Sequence, residues 1–162
     1  MKKTNTKFEL RMYSLNLYNV SPIQASIQAY HSGIEYALKY WKDSEFQDWA
    51  KNWKTVILLS GGTSNDGLKR KHIKNSWFEG TMESHLKELR KNGIKCTPFY
   101  EPDLNWAMTS ISFLVDERVF NKEKYPDDDI MLPQPKSWLK NIGGKKNEFL
   151  RTFLSQFRLS NN

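Results

Sequence analysis

The chain has 162 residues and a mass of 19.1 kDa, with 25 Lys plus Arg against 18 Asp plus Glu, a formal charge of +7. That length fits one domain able to bury its own core without staples. A single cysteine, Cys96, excludes an internal disulfide framework and a cysteine-based zinc site. No apolar run approaches the roughly 20 residues of a membrane span, and no apolar stretch follows the basic MKKTNTKFEL start. The expectation is a cytoplasmic protein without a membrane, whose excess positive charge suits an anionic partner.

Residues 1–7 are polar and are expected to fray. Phe8, Leu10, Met12, then Leu15 and Leu17 nearly alternate, with a phase shift at Tyr13–Ser14 that suggests a bulged strand over 8–18. Ser21-Pro22 opens a helix, serine as N-cap and proline in the first turn. Ile23, Ile27, Tyr30, Ile34, Leu38 and Trp41 form one apolar stripe of a helix over about 22–42, expected to face the core. A short helix is expected over 45–51, and WKTVILL, 53–59, reads as a buried strand.

Residues 60–80 read as a loop region, with Gly61-Gly62, then Lys69, Arg70, Lys71, His72 and Lys74, then Trp77 and Phe78. Glycines admit an anion close to backbone N–H groups, the cations add charge, and an aromatic can stack on a base. The same composition also suits a solvated hairpin. No Walker ending follows, so this is not a P-loop. Thr81 can cap a helix to about Asn92 with Met82, Leu86 and Leu89 inward, stopped by Gly93. A third strand spans 94–100 and a fourth 108–115, joined by Glu101-Pro102-Asp103.

Residues 116–144 read as irregular, and 145–159 as an amphipathic helix with Phe149, Leu150, Phe153, Leu154 and Phe157 inward. Across 136–158 six cations, Lys136, Lys140, Lys145, Lys146, Arg151 and Arg158, stand against Glu148 alone, a second basic cluster. Asp127-Asp128-Asp129 lacks calcium-loop spacing, and no metal or cofactor is expected. Cys96 is expected to pack in its strand. The order β-α-β-α-β-β indicates an α/β fold with a mixed four-stranded sheet.

A second row on the first helix, Gln24, Gln28, His31 and Glu35, lies one residue after the apolar stripe. Its residue types can bind a polar ligand or move a proton, or simply face solvent. The passage LRMYSLNLYNVSPIQASIQAYHSGIEYA resembles the opening of the type 2 peptidyl-tRNA hydrolases. Gln28 and His31 fall on that family's Gln and His, and KTVILL, HLKELRKNGI and CTPFYEPDLNWAMTSISFL follow in its order. The resemblance covers about 8–115, leaving 116–162 as a C-terminal extension. It implies a mixed four-stranded sheet with helices on both faces, and hydrolysis of the ester joining a peptide to the tRNA 3′ end.

Two departures stand out. The family's helix lysine aligns with Gln24, and its Asp-Ala-Gly-x-Thr segment is replaced by EPDLNWAMTS, in which Glu101 or Asp103 takes the place of the acid and Thr109 that of the threonine. Ester hydrolysis needs a base and donors for the oxyanion, and the missing cation removes one such donor. The expected function is therefore capture of a nucleotide or RNA 3′ end without efficient turnover, one version being a viral sponge for a nucleotide signal. Gln24, Gln28, His31 and Thr109 would contact base or sugar, while Gly61, Gly62, Lys69, Arg70 and Lys71 would hold phosphate. The alternative is a divergent hydrolase with His31 and Asp103 beside the water. A more general nucleic-acid binder using the two basic clusters is a third reading. A homo-oligomer, most simply a homodimer, is expected.

Overall fold

The computed structural model describes residues 8–65, 80–127 and 136–160. Its centre is a four-stranded mixed sheet: β1 Leu10–Leu17, β2 Thr55–Gly62, β3 Cys96–Glu101 and β4 Ala107–Asp116, in the order β2-β1-β4-β3. β1 runs parallel to β2 and antiparallel to β4, and β3 is antiparallel to β4. The expected α/β class and mixed four-stranded sheet are therefore present. Among the described residues there are six α-helices: α1 Pro22–Tyr40, α2 Ser44–Asp48, α3 Thr81–Lys91, α4 Glu117–Phe120, α5 Lys136–Asn141 and α6 Lys145–Ser155. A π-helical turn, Trp49–Trp53, links α2 to β2.

α1 lies on one face of the sheet; α3 and α6 pack on the other, around Tyr13, Leu15, Leu59, Met108, Ile111, Phe113 and Val115. Leu150 and Phe153 of α6 join that core, so the C-terminal segment completes it rather than decorating it. The short α4 and α5 break the stretch read as irregular, because Asp116 caps Arg118 N–H and starts a turn directly after β4. Beyond α6, Arg158 and Ser160 hydrogen-bond Ser60 and Leu58, covering the free edge of β2.

The phase shift in β1 is not a bulge at Tyr13–Ser14. β1 is a central strand buried on both faces: Tyr13 and Leu15 enter the α3–α6 core while Met12 packs under α1 with Tyr36 and Phe46. The bulge lies in β4 instead. Phe99 pairs with Ser110 but Tyr100 pairs with Met108, which leaves Thr109 as an extra residue. Strict alternation through Met108–Phe113 is thereby broken, and Thr109 and Ser110 both reach α1.

The largest difference from expectation concerns α1. The apolar stripe is not the buried one: Ile23, Ile27, Tyr30, Ile34, Leu38 and Trp41 are all exposed. Ala25, Ala29, Ser32 and Tyr36 face the sheet instead. The sheet surface beneath explains this, because it presents Ser14, Asn16, Ser110 and Ser112, all buried. Ser32 Oγ and Ser112 Oγ hydrogen-bond at 2.6 Å, and Thr97 Oγ1 donates to the Ser32 carbonyl at 3.0 Å. A hydroxyl-lined sheet buried under isoleucines would leave unsatisfied donors; small and hydroxyl-bearing helix residues satisfy them and permit close packing.

Candidate functional site

The bulge brings three elements together at one end of the sheet. Gln28, half-buried in the middle of α1, uses both ends of its amide there: Thr109 Oγ1 donates to Gln28 Oε1 at 2.5 Å, and Gln28 Nε2 donates to Glu101 Oε2 at 2.7 Å. Ser110 Oγ donates to the Gln28 carbonyl at 2.6 Å, fixing the backbone as well. One turn on, the His31 ring lies on Phe99, with centroids 4.5 Å apart. Its Nδ1 is buried and has no hydrogen-bond partner among the described residues. A buried ring nitrogen without a partner is unusual in a folded protein.

Gln28, His31 and Thr109 are thus brought into one cluster, and the acid that reaches α1 is Glu101. Asp103 lies on the exposed 3₁₀ turn Pro102–Leu104, and no hydrogen bond joins it to His31. Phe99 was not singled out in the sequence; the signal was its two-residue spacing from Thr97 on β3, which places both on the α1 side. The β3–β4 turn carries backbone strain, with Asn105 at φ 51° and Trp106 at φ 61°. A tryptophan in that region is uncommon, and its backbone N–H donates to the Glu101 carbonyl at 2.9 Å.

Gln24 has a different task. Its Oε1 accepts from Ser21 N–H at 3.0 Å while Ser21 Oγ accepts from Gln24 N–H at 3.2 Å, a reciprocal capping box. Gln24 thus starts the helix, with its side chain at the exposed first turn.

Gly61 and Gly62 end β2 rather than lying in a loop, since Leu17 still pairs with Gly62 after a register shift. A Cβ on Gly61 would stand 2.5 Å from Met82 Sδ and 2.9 Å from Leu15 Cβ. One on Gly62, at φ +98°, would stand 2.0 Å from Thr81 Oγ1. The glycines therefore let α3 start tight against β2. Thr81 Oγ1 accepts from Thr63 N–H at 2.8 Å and donates to the Gly61 carbonyl at 2.9 Å. The N-cap of α3 is Gly80, with Thr81 one residue inside.

Lys69, Arg70 and Lys71 lie outside the described residues, as do His72, Lys74, Trp77 and Phe78. The described residues on either side meet at this end of the sheet: Gly80 packs on the backbone of Thr63 and Ser64, and Ser64 Oγ accepts from Met108 N–H at 3.1 Å, next to Thr109.

Elsewhere the basic C-terminal cluster is smaller than its sequence suggests. Arg151 is buried, donating to the Arg118 and Tyr125 carbonyls and pairing with Asp127 at 2.5 Å. Burial works against the charge on Asp127, but hydrogen bonds from Lys122 and Arg151 outweigh it and hold the carboxyl below its usual range. Cys96 is buried, and burial raises its thiol pKa, which suits packing rather than nucleophilic attack. Among the described residues no group of three or more His, Cys, Asp or Glu is placed to hold a metal, and no helix is long and apolar enough to cross a membrane. Asp128 and Asp129 of the acidic run lie outside the described residues.

Compared with protein-family models and with curated proteins, the chain matches none.

Proposed function

We propose that the protein holds a nucleotide or the 3′ end of an RNA at the Gln28–His31–Glu101–Thr109 cluster without turning it over efficiently. The observation that carries this reading is the buried, unpartnered Nδ1 of His31, lying on an aromatic ring beside a polar cluster locked in one geometry. A ribose hydroxyl or base amino group can donate to a neutral imidazole nitrogen, and the fixed Glu101 carboxylate offers acceptors beside it. Preorganised side chains lose little freedom on binding, which favours affinity.

The same geometry argues against catalysis. Hydrolysis of an acyl ester needs free donors aimed at the developing oxyanion. Here the Thr109 hydroxyl and a Gln28 amide hydrogen are already committed, and Gln24 supplies no cation and is turned back to its helix cap. Losing such a donor typically costs about 10²–10³ in rate. The resemblance to type 2 peptidyl-tRNA hydrolases supports the ligand class and not the reaction. Phosphate contacts fall to Lys69, Arg70 and Lys71 in this reading, and sequestration of a nucleotide signal is one role such binding would serve.

The test is incubation with linear and cyclic adenine and guanine nucleotides, then removal of free ligand, denaturation and chromatography, with peptidyl-tRNA as a parallel arm. An intact nucleotide released only on denaturation, and lost in His31→Ala, is the expected result. Peptide released from peptidyl-tRNA at enzymatic rates, abolished by His31→Ala, would replace this reading with the hydrolase one.

A further inference from the structure

The stripe that α1 turns outward has the spacing of a helix-pairing seam. Ile23, Ile27, Tyr30, Ile34 and Trp41, together with Ala37, which is half-buried against Met12, Tyr36 and Phe46, are separated by four, three, four, three and four residues, the alternation that keeps one face of a helix against another. Ile23, Tyr30, Leu38 and Trp41 are 75, 68, 69 and 58% exposed. Together with Ile27, Ile34 and the neighbouring Val56 of β2 they present on the order of 900 Å² of surface, above the ~300–600 Å² of the largest patch on a typical monomer and comparable to the ~800 Å² each partner gives to a stable interface. Beside the stripe runs an apolar groove of about 500 Å³ between α1 and β2, with Phe46, Trp49, Val56 and Leu58 among its walls.

We infer that this face is where two copies of the chain associate, α1 against α1, antiparallel about a two-fold axis near Tyr30–Ile34. The charge pattern selects a second copy. The positions flanking the seam are Ser26, Gly33 and Tyr40 on one side and Gln24, His31 and Leu38 on the other, none of them Asp, Glu, Lys or Arg. Two chains of +7 can therefore meet along it without facing cations. Glu35, Lys39 and Lys42, the nearest charges, lie off the seam or at its C-terminal end. An antiparallel pair about that axis separates the two copies of Lys39 by about 21 Å and those of Lys42 by about 30 Å along the helices, and opposes the helix dipoles favourably; a parallel pair would bring the lysines together. Gly33 and Ser26 permit close approach of a second helix on the groove side. A two-fold axis makes the contact isologous, so the pair closes and does not propagate.

The arrangement also places a second copy beside His31, which flanks the seam, so the second copy would form one wall of the ligand site. The inference rests on the stripe alone and stands whether or not a nucleotide binds.

The test is molar mass by sedimentation equilibrium from about 1 to 100 µM. The wild type should run near twice 19.1 kDa, and Ile27→Glu/Ile34→Glu near the single-chain mass with an unchanged far-ultraviolet spectrum; both positions are exposed, so folding should survive. A wild type that stays at 19.1 kDa throughout, or a dimer unaffected by the double variant, overturns the inference, and a monomer would assign the stripe to a different occupant. Orientation is read by oxidising mixtures of Ile23→Cys and Trp41→Cys proteins. Crosslinks between the two variants are expected; efficient Ile23→Cys self-crosslinking would overturn the antiparallel arrangement.

Discussion

Replacing Thr109 by valine removes one hydroxyl from a buried position at nearly constant volume. In the wild type that hydroxyl donates to Gln28 Oε1 and so orients the amide whose nitrogen holds Glu101. A hydrogen bond of this kind contributes about 0.5–1.5 kcal/mol net, and stranding a buried acceptor costs about 1–3 kcal/mol. Gln28 is only half-buried, so its freed oxygen can recover water, which puts the expected loss at roughly 1–1.5 kcal/mol. For a chain of this length that corresponds to a fall in Tm of about 2–6 °C. The assay is urea and thermal unfolding of Thr109→Val, Gln28→Leu and the double variant. Because the two side chains share a bond, their effects should fall short of additivity by about 0.5–1.5 kcal/mol. Strict additivity, or a Thr109→Val protein within about 0.3 kcal/mol of wild type, would refute the locked cluster.

Two further outcomes follow from the packing. His85 stands edge-on to Phe153 and Phe157, and burial lowers its pKa from 6.5, against smaller opposing effects of Glu88 and the Gly61 backbone. The unfolded chain therefore takes up this proton at higher pH than the folded one, so stability is full above pH 6.5 and is lost as pH falls through the folded value. His85→Phe should lose less stability than wild type between about pH 7.5 and 5.5 in urea unfolding; parallel losses would show that His85 is not responsible. Gly62→Ala and Gly144→Ala both place a Cβ at strongly positive φ, +98° and +97°, but only the first meets Thr81, at 2.0 Å. Gly144→Ala should cost about 1 kcal/mol from backbone strain and Gly62→Ala a further 1–3 kcal/mol from the clash. Equal unfolding midpoints would contradict the tight β2–α3 junction.

Periodicity located α1 and its capping serine but not which side of it faces inward. An apolar stripe on a helix is evidence of a surface to be covered, and the molecule's own sheet does not cover this one. The contrary signal was in β4, where Ser110 and Ser112 alternate with Ile111 and Phe113: one sheet face was going to be lined with hydroxyls and need a small-residue helix stripe, and Ala25, Ala29 and Ser32 supply it. The polar row was legible because Gln28 and His31 share a helix face, whereas nothing in the spacing of β4 alone pointed to Thr109. The choice of Glu101 over Asp103 was not legible, since it depends on a bulge that inserts Thr109 and on a turn that carries Asp103 away from α1. Gly61 and Gly62 read as an anion loop because glycine pairs serve close approach of any kind; here the group that approaches is Thr81 and Met82.

We propose that a nucleotide bonds to His31 Nδ1, the buried ring nitrogen without a partner among the described residues. The most direct measurement is the imidazole nitrogen spectrum of uniformly ¹⁵N-labelled protein, with His31→Ala used for assignment, during titration with AMP, cyclic di-AMP and the trinucleotide CCA. At least one of these probes should shift the His31 Nδ1 resonance saturably, leave His85 unmoved, and be recovered intact. Saturable binding of a probe with no change at His31, or no binding by any of the three at millimolar concentration, would contradict the account.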